Sequence, residues 1–426
     1  MMNLSNPITL GATKTQFVDG DRSARYPKRE EYVHSGILFL NGESINGGVI
    51  DKSATNFISD QKYNEIKKGR IARNDILLTT RGNSVGDAAF VNIDDKGLIN
   101  AQMLILRVDS REISPKFLFY YLTTRTLRGY ISNFASGSAQ PQIPIRDLRK
   151  IPIYLPDLDT QKKIAAILSA YDDLIENNQR RIALLEKMTE EIYREWFVRL
   201  RFPGREKVKK IKGRPERWEI DRVDSIGKVV TGKTPSTINS RYFGGPYLFI
   251  KTPDMHGNIF VYETEEVLSQ DGLDSQSSQT IPEGSICVSC IGTGGIVSIS
   301  TSKCQTNQQI NSVVLRDQSD LEWAFFTLRN LRETIQMFGS TGTTMTNLSK
   351  GKFSSLKILR PDKNIVRDYH ALVKPMFVQM QSILQRTRIL IRSRELLLPR
   401  LISGKLSVEN LDIHFPPSME EAVHET

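Results

Sequence analysis

The chain has 426 residues, of which 39% are hydrophobic, 25% charged and 8% aromatic, the composition of a soluble folded protein and not of a disordered one. Its length exceeds one ordinary hydrophobic core and suits two domains with connecting elements. No apolar run approaches the roughly 20 residues that cross a bilayer, and residues 1 to 20 lack the basic-then-apolar build of a signal peptide, so a cytoplasmic protein without membrane association is expected. The net charge of +10 points to a polyanionic partner, but it is unevenly spread. Between Arg199 and Arg217 nine basic residues, Lys209, Lys210 and Lys212 among them, face only Glu206 and Glu216. Most of the excess charge is therefore a local feature, and charge alone does not identify nucleic acid as the partner.

From the N-terminus onward, short apolar runs such as Ile76 to Thr80, Met103 to Leu106 and Lys150 to Leu155 alternate with Gly, Asn, Asp and Ser, as in strands joined by turns. One helix is expected from Pro115 to Leu127. These elements then recur. Gly36-Ile37-Leu38-Phe39-Leu40 is matched by Gly245 to Ile250, and Asp75 to Gly82 by Ser285 to Gly292 at an offset of 210. Gly137 to Asp157 aligns without a gap on Gly342 to Asp362 at an offset of 205, with a second helix expected over Leu321 to Met337. The chain is a tandem duplication, and its repeat is the first fact any fold must satisfy.

After each Pro-Asp the apolar period becomes helical. The first stripe is Ile164, Leu168, Tyr171, Ile175, Asn178, Ile182, Leu185, Ile192 and Trp196; the second is Val373, Phe377, Met380, Leu384, Thr387, Ile391, Arg394 and Leu398. Steps of three, four and seven are those of coiled-coil seams, and the polar positions Asn178, Thr387 and Arg394 favour one register over slipped ones. Each helix would be about 60 Å long at ~1.5 Å per residue. The expected fold class is α+β, with two mostly-β domains carrying a small α component, at 1–156 and 218–361, and an approximate internal two-fold. Long helices at 157–200 and 362–403 would form an antiparallel coiled coil, with a basic linker at 201–217 and a tail at 404–426.

Chemistry is hard to find in this chain. The Asn/Asp-Pro-Pro-aromatic run of an aminomethyltransferase is absent, since Pro416-Pro417 lies between Phe415 and Ser418. No carboxylate-x-Lys follows Pro156-Asp157, Pro253-Asp254 or Pro361-Asp362, so a metal-dependent nuclease site is not formed; Asp157 and Asp362 read as helix N-terminal residues favourable to the dipole. Cys287-Val288-Ser289-Cys290 is half a zinc site without a second half, and its first-copy counterparts are Leu77 and Thr80, so no metal is expected. The three cysteines suit a reducing compartment, and Gly292-Thr293-Gly294-Gly295 lacks the Lys-Ser/Thr of a phosphate loop. Catalytic residues are expected to be none.

Two similar domains on a two-fold scaffold suit DNA half-sites at a fixed separation. The copies diverge most in their loops: Asp19 to Tyr26 stands where the second copy has Thr231 to Ser236. Polar loop side chains read bases, and basic and hydroxyl groups take phosphates. The expected DNA-binding residues are Arg22, Arg25, Lys28, Arg81, Asn83 and Gln102 in the first domain, and Lys233, Thr234, Ser236, Arg241, Lys251, Thr293 and Gln308 in the second. Lys209, Lys210 and Lys212 would add unspecific phosphate attraction.

Several motifs, in order, carry a resemblance: Gly137-Ser138-Ala139-Gln140-Pro141-Gln142-Ile143; Pro156 to Gln161 leading into Lys162-Lys163-Ile164-Ala165; Arg194-Glu195-Trp196-Phe197-Val198; Thr231-Gly232-Lys233-Thr234-Pro235; and Leu397 to Gly404. In these the chain resembles the specificity subunits of type I restriction-modification enzymes over nearly its whole length. The resemblance implies a non-catalytic subunit whose two recognition domains each read half of a split asymmetric site on double-stranded DNA. It implies that the helices set the spacer and dock two methyltransferase subunits and, through them, the restriction motor subunits. Ile164, Leu168, Tyr171, Ile175, Ile182, Leu185, Trp196, Phe377, Met380, Leu384, Ile391 and Leu398 are the expected helix-pairing and docking residues. No cofactor is expected in this chain; S-adenosylmethionine, ATP and Mg2+ are implied for the partners, in a bacterial or archaeal, nucleoid-associated setting. The first copy has neither a Trp218-type start nor a Thr-Gly-Lys-Thr-Pro run. A stand-alone DNA-binding regulator and a purely structural coiled-coil scaffold are the rival readings.

Overall fold

The computed structural model describes residues 7–135, 141–339, 346–416 and 419. Gly137 to Gln140 and Gly342 to Met345, both within the repeated motif, lie outside the described residues, as do Pro417, Ser418 and His424. The chain divides into two compact units, one of residues 1–178 with 386–426 and the other of residues 179–385. Both boundaries fall inside a long helix, Leu158–Tyr193 or Lys363–Ile402.

The first unit has two four-stranded sheets. In one, the order is Gln16–Asp19, Met103–Arg107, Ile76–Thr79 and Ala88–Phe90, antiparallel throughout. In the other, Gly97–Ile99 runs parallel to Ile37–Leu40, which pairs with Asn56–Ile58. The alternation along these strands serves two cores: Ile76, Leu78, Leu104 and Leu106 face one cluster, and Leu77, Met103 and Ile105 face the other. Period-two burial of this kind places both faces of a strand in apolar surroundings.

The second unit repeats the plan. Gly227–Thr231, Ile310–Leu315, Ile286–Ser289 and Val297–Ser300 follow the same antiparallel order, with Phe260–Val261 added at the edge. Cys304–Thr306 runs parallel to Phe243–Ile250, as Gly97–Ile99 does to Ile37–Leu40. Each unit closes with a short antiparallel pair, Ile8–Thr9 with Pro152–Ile153 and Glu219–Arg222 with Lys357–Arg360. Both units are mixed in helix and strand. Where the sequence suggests one helix per copy there are two, Pro115–Thr123 with Arg125–Ala135 and Leu321–Asn330 with Arg332–Gly339. Thr124 breaks the first pair because its backbone is extended, with φ −63° and ψ 144°.

The long helices contribute to both cores. Asp157 accepts from the backbone N–H of Thr160 at 2.9 Å and from its hydroxyl at 2.7 Å, a cap that holds the Asp157 carboxyl below its usual range. In the first unit Ile164 and Leu168 are buried with Leu401 and Ile402, and Asp172 pairs with Arg394, so these helical segments run in opposite directions. Arg394 breaks an apolar stripe in sequence because its partner is a carboxylate, which also accepts from the Tyr120 hydroxyl at 2.5 Å. In the second unit Tyr369 packs among Tyr193, Trp196 and Phe197, and its hydroxyl donates to the Thr189 carbonyl at 3.3 Å.

Two segments differ from expectation. The stretch 201–217, read as a linker, holds a hairpin of Lys210–Ile211 with Arg214–Pro215, anchored by Phe202 stacked on Trp218 at 5.3 Å. The stretch from 404, read as a tail, packs on the first unit: Val408 is buried beside Ile164 and Leu10, and Lys163 Nζ donates to the Glu409 carbonyl at 2.8 Å. In both cases a few apolar side chains in a polar segment suffice to dock it.

Equivalent glycines of the two units make the same close backbone approach. A Cβ on Gly20 would stand 2.2 Å from the Asn100 carbonyl oxygen, and one on Gly232 would stand 2.1 Å from that of Asn307. Gly232→Ala is expected to lower stability by about 1–3 kcal/mol, the cost of forced overpacking. Gly351→Ala, where the added methyl meets nothing within 4 Å, should leave it unchanged or slightly raised. Urea unfolding of the two variants checks this, and equal losses would contradict it.

Candidate nucleic-acid interface

At each glycine four segments of one unit meet. In the first unit the Asn100 N–H donates to the Leu40 carbonyl at 2.8 Å, its side-chain oxygen accepts from the Gln102 N–H at 3.0 Å, and the Gln102 carbonyl accepts from the Thr80 N–H at 2.8 Å. Ile143 N–H donates to Thr80 at 3.0 Å, and Arg81 bridges Gln142. The second unit reproduces every link. Asn307 donates to Ile250 at 3.0 Å, its side chain accepts from Gln309 N–H at 3.1 Å, and Gln309 accepts from Cys290 N–H at 2.7 Å. Leu348 N–H donates to Cys290 at 2.9 Å, and Ile291 pairs with Asn347. An Asn side chain that bonds the backbone two residues on builds this turn without help from sheet geometry.

The backbone junction thus repeats while its side chains change. Asp19-Gly20-Asp21-Arg22 takes the place of Thr231-Gly232-Lys233-Thr234, because Asp19 pairs with Leu104 as Thr231 pairs with Asn311. The run missing from the first copy has a backbone counterpart all the same.

The candidates fall into two groups. Arg22, Arg81 and Gln102 converge on the first junction; Arg22 pairs with Asp19 at 3.1 Å and reaches the Ala101 carbonyl at 3.4 Å. The Arg81 side chain has no hydrogen-bond or ion-pair partner among the described residues, and exposed Asn83 sits in the turn that follows. On the second junction Lys233 donates its backbone N–H to Thr306 at 2.9 Å, and the Thr234 hydroxyl donates to Gln308 Oε1 at 2.7 Å. Thr293 is exposed at a turn where its carbonyl accepts from the Ser289 hydroxyl at 2.6 Å.

The rest are held elsewhere. Arg25 donates to the Glu65 carbonyl at 3.3 Å, exposed Lys28 starts a short helical turn, and exposed Ser236 and Arg241 lie farther along the second loop. Lys251 is committed to Glu266 at 2.6 Å, which leaves its charge least free.

Residues that sequence reasoning missed are Gln142, Gln309 and Asn347. Gln309, not Gln308, is the counterpart of Gln102, and its side-chain oxygen accepts from Thr252 at 3.2 Å and Asn307 at 3.1 Å. The recurring Asn-x-Gln of Asn100 to Gln102 and Asn307 to Gln309 was the available signal.

On the helices, Ile164, Leu168, Phe377 and Met380 are buried in the cores of their own units, Leu185, Trp196, Leu384 and Leu398 pack on those cores, and Ile175 is buried as well. Tyr171, Ile182 and Ile391 are half-buried. Buried side chains offer another chain no surface. The apolar residues that do are Leu174, Leu184, Met188, Leu372, Val378, Ile389 and Leu396, all exposed.

No group of three or more metal-ligating side chains occurs among the described residues, and none of their helices is long and apolar enough to cross a membrane. Cys287 and Cys290 face different cores. Burial pushes the Cys287 thiol up to about 12 and that of Cys290 up to about 11, with Cys304 also raised. Only the thiolate reacts, and it is nearly absent below those values. Iodoacetamide at pH 8 should therefore leave the folded chain unmodified and label all three cysteines after denaturation; mass spectrometry of native labelling at Cys287 would refute the burial.

A family model described as the type I restriction modification DNA specificity domain matches residues 21–187 and 215–372, one match for each repeat. The chain belongs to this family. It is similar to the HindI type I restriction enzyme specificity subunit of Haemophilus influenzae, with 28% identity over 91% of this chain and 98% of that one. It is also similar to the MjaIX specificity subunit of Methanocaldococcus jannaschii, with 26% identity over 83% and 82% of the two chains. The type I system S subunit from M. genitalium has the same fold, with a TM-score of 0.59 at 16% identity over 94% of this chain and 96% of that one.

Proposed function

We propose that the chain is the DNA sequence-reading subunit of a type I restriction-modification complex, each domain recognising one half of a split, asymmetric site. The observation that carries this is the duplicated junction, with one backbone and two sets of polar side chains in a chain of the specificity family. A rigid backbone that presents different donors and acceptors is what two half-sites of different sequence require. A stand-alone regulator is not favoured, because the relatives are named as subunits of restriction enzymes.

On this reading the two long helices pair as an antiparallel coiled coil that fixes the spacer. Their exposed apolar residues, Leu184, Met188, Ile389 and Leu396 among them, dock two methyltransferase subunits, through which the restriction motor subunits join. The methyltransferases bring S-adenosylmethionine and the motor subunits ATP and Mg2+; this chain supplies position and no bond-making group. The complex works in the cytoplasm at the nucleoid.

Methylome sequencing of a host with and without the chain tests the reading. A split methylated motif should vanish when the chain is removed, and a methylome that does not change would reject it.

Side-chain roles separate by their sequence dependence. Arg81→Ala should weaken binding of the assembled methyltransferase to its motif by about 1–3 kcal/mol, as expected for an arginine bidentate to guanine, with little change on random DNA. Lys210→Ala should weaken both equally and make the salt slope shallower. Fluorescence-anisotropy titrations over a range of salt concentrations check both, and a uniform loss for Arg81→Ala would assign it to phosphate.

A further inference from the structure

We propose that Ile238 is a specificity-determining residue of the second domain, its side chain making the apolar contact with the 5-methyl group of a thymine in the major groove. This rests on the reading of the chain as a DNA-recognition subunit and adds a base identity to it.

The loop that carries Ile238 is pinned at both ends. At its start Gly232 lies on Asn307, the Gly232 N–H donates to the Ile310 carbonyl at 3.0 Å and the Thr234 hydroxyl to Gln308 at 2.7 Å. At its end the Asn239 side chain accepts from the Arg241 N–H at 3.3 Å, and the Ser269 hydroxyl donates to the Arg241 carbonyl at 2.5 Å. Between these anchors the Asn239 N–H donates to the Ser236 carbonyl at 3.2 Å. That bond closes a turn with Thr237 and Ile238 at its corner.

Turn corners favour Gly, Asn, Asp or Ser, yet this one holds a β-branched apolar side chain that is 96% exposed, the most exposed large hydrophobic residue described. Isolated apolar residues on an ordinary surface need no explanation. This one stands at the tip of a fixed loop whose other side chains include Lys233, Thr234, Ser236, Asn239 and Arg241, all able to bond phosphates or base edges. The fold uses nothing of Ile238: it packs in no core, and its loop is held by its neighbours. On the major-groove edge of the base pairs the apolar group is the thymine methyl. A stiff side chain with few rotamers presents its methyls to that group at small entropic cost. The cations on either side suit the flanking phosphates. The other role open to an apolar tip residue is a wedge between base steps, which unstacks and kinks the duplex and is distinguished by the test below.

The test uses the chain assembled with its methyltransferase subunits and duplexes that carry the motif found by methylome sequencing. Each thymine of the second-domain half-site is replaced in turn by deoxyuridine, which lacks only the methyl group. At one position the wild type should bind about 4-fold more weakly, the worth of one buried methyl. Ile238→Ala should bind the thymine duplex about 4-fold more weakly and lose nothing further with deoxyuridine, at an unchanged melting temperature. Independent losses, no uracil-sensitive position, or a half-site without an A·T pair would each overturn the assignment while leaving the recognition reading intact. A rise in 2-aminopurine fluorescence that depends on Ile238 would replace the methyl contact with a wedge. Absence of any chain-dependent split motif would remove the recognition reading itself, and Ile238's role with it.

Discussion

In each unit the backbone closes on itself at an equivalent glycine, Gly20 resting on the Asn100 carbonyl and Gly232 on that of Asn307. Only a residue without Cβ permits that approach, and it brings the end of one strand, the turn between two others and the polar loop together at one point. The Asn turn then holds a third segment and, through Thr80 or Cys290, a fourth. Specificity in such a structure is a property of position before it is one of side chains. Once the backbone is locked, exchanging Arg22 for Thr234 or Arg81 for Ile291 changes what is presented without changing where.

The two units also differ in how firmly the turn beside the junction is held. The Ser289 hydroxyl donates to Thr293 and accepts from the Ile296 N–H at 2.8 Å, and Gln336 donates to Gly294 at 3.2 Å. In the first unit Thr79 occupies the Ser289 position, and its buried hydroxyl has no hydrogen-bond partner among the described residues. Its turn is closed by backbone bonds from Val85 to Gly82 at 3.3 Å and Asp87 to Ser84 at 3.0 Å. A stapled turn pays less ordering entropy on binding than an unstapled one.

Much of this was legible in the sequence, and the legible part was the local part. The repeat at offsets of 210 and 205 pairs Thr80 with Cys290 and Gln142 with Asn347, the residues that prove equivalent in hydrogen bonding. Helical periodicity found both long helices because burial on one face repeats every three or four residues. What escaped depends on partners distant in sequence. Arg394 looks like a flaw in an apolar stripe until Asp172 is seen beside it. Gln309 is chosen over Gln308 by the turn that begins at Asn307, and Val408 looks like tail until the pocket near Ile164 and Leu10 is in view. Periodicity also fails to register the break at Thr124, which rests on one backbone angle.

The first unit is discontinuous along the chain. Its core joins Leu10 and Ile164 to Leu401, Ile402 and Val408, whereas the second unit is drawn from the single stretch 179–385. On the ribosome the order of completion is therefore the reverse of the order of synthesis. The second unit has every residue it needs while the first still waits for its last helical turns and the strap beyond them. Until then the apolar positions around Leu10 and Ile164 lack their cover, in a domain finished to the eye but open along one seam. A ribosome that stalls after residue 385 would release a sound second reader and an unsealed first one.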